Sequence, residues 1–259
     1  MAKAKKTSAK KEVEKNEVIE VNLDSFAVPI AIVIAGIVIA FAIFLTNKNS
    51  KGEVDGAQPT PTAQEQQGEE PEVPEGDFTV SIGDSLTIGD RDKAKIAIVE
   101  YSNFGCGYCQ RHTVQTFPEI KSKYIDSGEV LYVFKNFPFG EEGTAYNSAL
   151  ALHCVAKLAD AQKAVEFHSK AFDFTSDEDI KNAVVALGVS ASKYDSCMAD
   201  PTTKSAIAGE RDEGSGVGIT GTPGFVVGKI DKDGKVTGPI VRGAYPFSTF
   251  EATIKKLSE

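Results

Sequence analysis

The feature that most restricts the fold of this 259-residue chain is a pair of cysteines placed directly after an apolar run. Residues 96–101 (Ile-Ala-Ile-Val-Glu-Tyr) form a nearly continuous apolar run of strand length, typical of a central strand covered on both faces. Cys106 and Cys109 follow where this strand gives way to helical spacing through about Tyr124. We therefore expect a strand, a Cys-x-x-Cys segment and a helix in direct succession, with a kink at Pro118.

The rest of the folded region predicts an α/β fold that contains an inserted helical block. Residues 129–134 form a second strand-length run, and a strand–helix–strand order implies a right-handed parallel unit. Helical spacing then continues from about residue 143 to about residue 216. The remaining predicted elements are two short strands at 224–228 and 239–241, a turn around Asp233-Gly234, and a closing helix at 247–257.

The Cys-x-x-Cys segment predicts redox chemistry. Two sulfurs on the first turn of a helix can close a disulfide that leaves Cys106 exposed and Cys109 covered. A helix N-terminus carries about half a positive charge, which stabilises the nucleophilic thiolate of Cys106. The alternatives are inert structural cysteines or a zinc half-site, but Cys154 and Cys197 are 43 residues apart and complete no familiar zinc pattern. We expect neither a metal nor a cofactor.

The N-terminal part of the chain predicts a membrane anchor. Residues 27–45 contain no charged side chain, and such a run nearly crosses the roughly 30 Å hydrocarbon core. A 25-residue leader and the lack of a clear cleavage site favour an uncleaved signal anchor at 26–45 over a signal peptide. Six lysines precede the span and two follow it closely, so the basic leader 1–25 is expected in the cytoplasm and the rest of the chain outside.

Residues 46–77 predict a disordered tether. This segment is acidic and rich in Pro, Gly, Gln and Thr, and it cannot bury enough apolar surface to offset its ordering entropy. The domain organisation is therefore a leader, an anchor, a tether and one folded domain at 78–259. The net charge of −9 argues against a nucleic-acid binder, which would normally present a basic face.

Three motifs in order resemble those of DsbA-like thiol–disulfide oxidoreductases of the thioredoxin superfamily. The first is the Cys-x-x-Cys segment at 100–109, the second is Gly221-Thr222-Pro223 before an apolar strand, and the third is Gly243-Ala244-Tyr245-Pro246 before the last helix. The resemblance covers about residues 78–259. It implies a thioredoxin fold interrupted by a helical domain, which is also the order of elements predicted above.

The resemblance implies a role for several residues. Cys106 becomes the attacking thiol and Cys109 the resolving thiol. Pro223 is expected to be cis and to place the Thr222 backbone beside Cys106, where it pairs with an extended substrate. Glu100 occupies a position where the superfamily often has a buried acid. It is either a proton acceptor for Cys109 or a carboxyl at a solvated strand end.

Three further positions are interpreted through the same resemblance. The dipeptide Gly107-Tyr108 beside the attacking thiol departs from the Pro-His pair of the best-known DsbA enzymes and is similar to that of bacterial disulfide isomerases. Some DsbA-like proteins carry an extra disulfide in the helical domain, so Cys154 and Cys197 are either bonded to each other or two separate buried thiols. His112, one turn after Cys109, is interpreted as an ordinary surface histidine.

The resulting hypothesis is a membrane-anchored, extracytoplasmic enzyme that introduces disulfides into exported proteins through Cys106 and Cys109. Its expected partners are unfolded exported proteins with free thiols and a quinone-linked membrane oxidase that recycles the enzyme. The alternatives are a disulfide isomerase or reductase of the same fold, and a non-enzymatic thioredoxin-fold domain that binds peptides.

Overall fold

The structure is a computed structural model, and it describes residues 76–259. The predicted leader (1–25), the predicted anchor (26–45) and all but the end of the predicted tether lie outside the described residues. Within residues 76–259, no helix is both long enough and apolar enough to cross a membrane.

Three strands, an irregular helix and a fourth strand come first, and a block of five helices then separates them from the last three strands and the closing helix. The strands are β1 (Phe78–Ser81), β2 (Leu86–Ile88), β3 (Ile96–Ser102), β4 (Val130–Asn136), β5 (Gly224–Ile230), β6 (Lys235–Gly238) and β7 (Ile240–Arg242). The helices are α1 (Gly107–Arg111), α2 (Phe117–Ile120), α3 (Gly143–Leu158), α4 (Ala161–Ala171), α5 (Asp177–Ala186), α6 (Ala191–Ala199), α7 (Pro201–Gly216) and α8 (Phe247–Ser258).

The described strands form one mixed sheet in the order β1-β6-β5-β3-β4-β2, and β7 pairs with β5. β3 and β4 are parallel, as their apolar runs predict, and every residue of both strands is buried. Burial of a strand on both faces requires layers above and below the sheet. The central position of β3 places its carboxyl end, and therefore the cysteine pair, at the middle of one sheet edge.

The two faces of the sheet belong to two separate apolar clusters. Ile96 and Ile98 of β3 pack in the larger cluster, which contains α8 and most of the helical block. Ala97, Val99 and Tyr101 pack in the smaller cluster on the other face, together with β1 and β6. This alternation follows the period of two along a strand. Glu100 therefore projects to the larger cluster, and its neighbour Tyr101 projects to the smaller one.

The helix after Cys106 is continuous but irregular. Two π-helical segments, His112–Thr116 and Lys121–Ile125, flank α2, and Pro118 lies in the first turn of α2. The sequence predicts a kink at Pro118, whereas the structure places the irregularity on both sides of it. Pro118 has no backbone N–H to donate to the preceding turn, and the wider π-helical turn at His112–Thr116 lies directly before α2.

The helices α3 to α7 occupy residues 143–216, between β4 and β5. A disulfide between Cys154 and Cys197 joins α3 to α6. Side-chain caps define several helix starts: Asp160 accepts the backbone N–H of Lys163 before α4, and Ser176 and Asp179 form a capping box before α5.

Candidate active site

A tight turn at the carboxyl end of β3 presents Cys106. Asn103 accepts the backbone N–H of Gly105 through its side chain at 2.9 Å and that of Cys106 through its carbonyl at 3.0 Å. This turn reverses the chain so that Cys106 becomes the N-cap of α1, with an extended backbone. The first N–H groups of α1 then point toward its sulfur.

The two thiols of the Cys-x-x-Cys segment differ in exposure and in proton affinity. Cys106 is partly exposed, whereas Cys109 is completely buried, and both are free thiols. The hydrogen bond from Cys109 lowers the pKa of Cys106 to about 5, with help from Thr222 and the backbone N–H groups of α1. Burial raises the pKa of Cys109 far above that of a free cysteine, and Cys106 and Glu100 add to this increase. At neutral pH one sulfur is therefore a thiolate nucleophile and the other keeps its proton.

The loop before β5 lies directly against the nucleophile. The Thr222–Pro223 peptide bond is cis, and Cys106 Sγ lies 3.2 Å from the Thr222 carbonyl oxygen, to which only the protonated thiol can donate. The backbone N–H of Gly243 donates to the Pro223 carbonyl at 2.8 Å, which ties this loop to the segment before α8. The motif at 243–246 is thus hydrogen-bonded to the motif at 221–223.

Two cavities lie beside this loop and the nucleophile. One, of about 360 Å³, lies between Cys106 and the helical block and is lined by the aromatic rings of Phe104, Phe172 and Phe174. The other, of about 390 Å³, lies along residues 219–224 and includes Arg242. Both are open, so they offer room for an extended chain on either side of the reactive sulfur.

Gly107 and Tyr108 form the exposed surface next to Cys106. Tyr108 is 61% exposed, and the Arg111 guanidinium carbon lies 4.8 Å from the centre of its ring. No atom lies within 4 Å of the place where a Cβ of Gly107 would be. The dipeptide is therefore accessible to a docked protein.

Glu100 is buried beneath the cysteine pair. It is 1% exposed, and its Oε2 accepts a hydrogen bond from the Tyr132 hydroxyl at 2.8 Å. Burial raises the pKa of this carboxyl to about 7, against the opposing effects of Tyr132 and Ser102, and the Cys106 thiolate adds to the increase. A carboxyl with this pKa, close to a buried thiol, can accept and return a proton at physiological pH.

The interpretation of His112 as a surface residue is wrong. The side chain is completely buried, and its ring packs 4.6 Å from the ring of Phe225 and 5.3 Å from that of Phe250. Its Nε2 lies 2.9 Å from the Tyr132 hydroxyl. The physical reason is that His112 shares a helix face with Cys109, and that face packs against the sheet. The expected burial of Cys109 was the signal that could have predicted this.

The structure gathers most of the predicted site residues and separates two of them. Cys106, Cys109 and Glu100 lie together with the cis-proline loop, whereas Cys154 and Cys197 are bonded to each other in the helical block. Sequence reasoning missed Ser102, Tyr132 and the buried position of His112. Among the described residues, no group of three or more potential metal ligands is present.

Comparison with known proteins places this site in a family. The family described as Thioredoxin matches residues 81–240. The chain belongs to the thioredoxin family. A protein of Rickettsia bellii named "Putative protein-disulfide oxidoreductase" is 27% identical over 184 residues, which cover 67% of this chain and 69% of that protein. "Disulfide bond formation protein D" of Bacillus subtilis is 32% identical over 83 residues, which cover 32% of this chain and 36% of that protein.

A solved structure agrees on the architecture. The oxidised form of BdbD from Bacillus subtilis gives a TM-score of 0.58 at 21% identity and covers 69% of this chain and 96% of that one. At this identity the likeness concerns the fold. Together, the comparisons confirm the predicted DsbA-like thioredoxin fold and the predicted dithiol–disulfide oxidoreductase activity.

Proposed function

We propose that this protein oxidises pairs of thiols in exported proteins, outside the cytoplasm, by transferring the disulfide between Cys106 and Cys109. The observation that carries the proposal is the contrast between the two thiols. Cys106 is accessible and has a pKa lowered to about 5, whereas Cys109 is buried and has a raised pKa. A disulfide whose accessible sulfur is a good leaving thiolate is readily donated to another protein.

The chemistry proceeds in two exchanges. A client thiolate attacks Cys106 Sγ of the oxidised enzyme, the Cys106–Cys109 bond breaks, and Cys109 leaves as a thiolate that takes up a proton. The second client thiolate attacks the client sulfur of the mixed disulfide, and Cys106 leaves as a stable thiolate. The client loses two electrons and two protons, and the enzyme disulfide gains the two electrons.

The proposed location comes from the N-terminal sequence. An anchor at 26–45 with a cytoplasmic leader would hold the folded domain outside the cell membrane. That location permits disulfides to persist. Regeneration of the oxidised enzyme needs an external acceptor of two electrons, for which we propose a quinone-linked thiol oxidase in the same membrane.

Disulfide isomerisation is the second candidate, and Gly107 and Tyr108 favour it. The exposed Tyr108 ring occupies the place where the best-known DsbA enzymes carry a histidine, so the Cys106 thiolate lacks a cationic neighbour within the dipeptide. Less stabilisation of the thiolate makes a disulfide a weaker oxidant. The same residues are open to client proteins in either reaction.

The direction is tested with ribonuclease. The oxidised full chain is added to reduced, unfolded ribonuclease, and the reduced chain is added separately to scrambled ribonuclease. We expect rapid disulfide formation in the first experiment and weak recovery of ribonuclease activity in the second. Efficient unscrambling with poor oxidation would assign isomerisation instead. A Cys106→Ser variant with activity in either experiment would contradict the role of Cys106.

The location is tested separately with a thiol reagent that cannot cross membranes. In intact cells or spheroplasts it should label reduced Cys106. Labelling only after lysis would contradict the extracytoplasmic location and leave the chemistry of the purified protein untouched.

A further inference from the structure

A chain of buried side chains runs from the active-site carboxyl to the helix behind it. Tyr132 on β4 donates to Glu100 Oε2 at 2.8 Å, and His112 Nε2 lies 2.9 Å from the same Tyr132 hydroxyl. All three side chains are at most 1% exposed. Because these side chains are buried, the protons between them are assigned to protein groups.

The hydrogen bonds fix the protons of this chain. Tyr132 has a single proton and gives it to Glu100, so the Tyr132 oxygen must accept the second hydrogen bond from His112 Nε2. Burial lowers the pKa of His112 to about 3, with a contribution from His168, so the ring is neutral at physiological pH. Its one proton is then on Nε2. His112 Nδ1 is buried and has no partner among the described residues, which agrees with an unprotonated nitrogen.

The same arrangement leaves one oxygen of Glu100 available. Oε2 is occupied by Tyr132, whereas Oε1 is buried and has no hydrogen-bond partner in the described part of the chain. The Ser102 hydroxyl is also buried without a partner, and it lowers the pKa of both Glu100 and Cys109. Glu100, Ser102 and Cys109 influence one another's protonation, and Oε1 is the carboxyl oxygen left free to exchange a proton with Cys109.

Among residues 76–259, no cation is one of the groups that shift the pKa of Glu100. The titratable groups near it are Tyr132 on β4, Cys106 and Cys109 at the start of α1, and, through Tyr132, His112; His168 on α4 lies near His112. Tyr132 and Ser102 lower the pKa of Glu100: the Tyr132 hydroxyl donates to Oε2, and the unpaired Ser102 hydroxyl lies close to the carboxyl. Tyr132 is the stronger of the two.

We propose that Tyr132 and His112 are positioning residues for Glu100, which hold Oε2 so that Oε1 exchanges a proton with Cys109 near neutral pH. This inference rests on the proposed function, because it concerns the proton of the resolving thiol. When a client thiolate opens the disulfide, protonated Glu100 gives its proton to the departing Cys109 thiolate. When the enzyme is reoxidised, Cys106 is in a mixed disulfide with the thiol oxidase; Cys109 Sγ attacks Cys106 Sγ, the oxidase thiolate leaves with the two electrons, and the Glu100 carboxylate takes the Cys109 proton back.

The test isolates the attack by Cys109. The reduced full chain, with Cys154–Cys197 intact, is mixed with a chromogenic aromatic disulfide in a stopped-flow instrument between pH 5.5 and 9.5. The first thiol released reports attack by Cys106, and the second reports attack by Cys109 on the mixed disulfide. We expect the second rate of the unchanged protein to rise with pH around a midpoint near 7.

Tyr132→Phe should move this midpoint upward by about one pH unit, because the carboxylate loses its strongest hydrogen bond. The second rate at pH 7 should then fall about fivefold, while its value above pH 9 and the first rate stay within twofold. His112→Leu should move the midpoint in the same direction by less, and His112→Gln, whose amide can still donate to Tyr132, should restore it. Glu100→Gln should abolish the inflection.

Tyr101→Phe is the matched control, because it removes a buried tyrosine hydroxyl that donates to a carboxylate on the opposite face of the sheet. It should leave the midpoint unchanged. The midpoint does not depend on the fraction of folded protein, so a purely structural role of Tyr132 would not move it. A Tyr132→Phe midpoint equal to that of the unchanged protein, or lower, would overturn the inference. Failure of the unchanged protein to oxidise ribonuclease would instead contradict the proposed function. The midpoint of the second thiol release would still test the role of Tyr132.

Discussion

The two faces of the central sheet each bury a tyrosine that donates to a glutamate, but the pKa values of the two glutamates are shifted in opposite directions. On the active-site face, Tyr132 donates to Glu100, whose pKa is raised to about 7. On the other face, Tyr101 donates to Glu213 at 2.8 Å, and the pKa of Glu213 is lowered. Glu100 and Tyr101 are neighbours on β3, so the same strand serves both arrangements.

A buried lysine and the partial exposure of Glu213 account for the difference. Burial raises the pKa of Glu213, but its ion pair with Lys135 and its hydrogen bonds from Ser81 and Tyr101 outweigh that effect. The Lys135 side chain is only 5% exposed, and its ammonium also lies 5.8 Å from the centre of the Tyr101 ring. Glu100 is fully buried without an ion pair and its pKa is raised, whereas the partly exposed Glu213 is paired with Lys135 and its pKa is lowered.

The strongest test of this comparison is removal of the cation. Lys135→Met leaves the Glu213 carboxylate without its partner, and because Glu213 is partly exposed we expect a loss of about 3 kcal/mol, the lower end for breaking a buried pair. Urea unfolding at pH 7 measures it. The matched control is Lys181→Met, which removes an exposed pair with Asp195 and should cost less than about 1 kcal/mol. Equal losses in both variants would contradict a special role for the buried lysine.

The second test replaces each of the two glutamates, separately, with the uncharged glutamine. Glu100→Gln should slow the attack by Cys109 at pH 8 about tenfold to a hundredfold, since it removes the proton acceptor of that step. Glu213→Gln should lower the free energy of unfolding and leave the rate of that step within twofold. Stopped-flow release of the second chromogenic thiol measures both. A comparable slowing by Glu213→Gln would show that the two faces are not functionally separate.

The sequence predicts the two central strands and the cysteine pair better than it predicts the short outer strands. β3 and β4 are predicted because strands covered on both faces are continuous apolar runs, and the cysteine pair identifies the helix that follows. β1, β2 and β6 are missed, since they are short, carry polar residues and acquire hydrogen bonds only through folding. Residue Phe78 of β1, for example, pairs with Gly238 of β6.

The polar groups of the site are predicted only in part, for a related reason. Glu100 stands within an apolar run, which signals burial, and the Cys-x-x-Cys spacing is itself local. Lys135 lies at the end of a strand, where it resembles an ordinary solvated residue, and its partner Glu213 is 78 residues away in the sequence. Nothing local connects His112 with Tyr132. Contacts between distant segments decide which polar residues are buried, and a single sequence does not contain them.

Acidification should weaken the active-site face first. Burial lowers the pKa of both His112 and His168 to about 3, so the unfolded chain binds more protons than the folded protein once the pH falls below about 6.5. Glu100 has a raised pKa and opposes this loss between pH 7 and about 4.5. The lowered pKa of His153 adds to this loss and the raised pKa of Glu210 opposes it, so three histidines against two carboxyls leave a net loss of stability as the pH falls from 7 to 5. Glu213, with its lowered pKa, stays charged across that range.

The measurement is urea unfolding at pH 7 and pH 5. His168 packs among the rings of Phe104, Phe134 and Phe172, so His168→Phe should fit this site. We expect this variant to reduce the loss of unfolding free energy between pH 7 and pH 5 by about 2 kcal/mol, which is the contribution of one histidine held neutral in the folded protein. An unchanged loss would mean that His168 is protonated in the folded protein.

The smallest expected effect concerns how the active-site face holds negative charge without a cation. The pKa of Cys106 is lowered to about 5 by Cys109, Thr222 and backbone N–H groups, and none of these carries a positive charge. Thr222→Val removes a buried hydroxyl that has no other partner among the described residues and that can donate to the Cys106 thiolate, so it should raise the pKa of Cys106 by about half a unit, as expected for one of several hydrogen bonds to a thiolate. The pH dependence of iodoacetamide alkylation measures this shift. Thr220→Val, which removes a hydroxyl bonded to Arg242, is the matched control and should leave the inflection in place. If Thr222→Val moved the inflection above pH 7, a single hydroxyl would stabilise the Cys106 thiolate, much as the single Lys135 ammonium stabilises the Glu213 carboxylate. That result would contradict the expectation that several hydrogen bonds share this stabilisation.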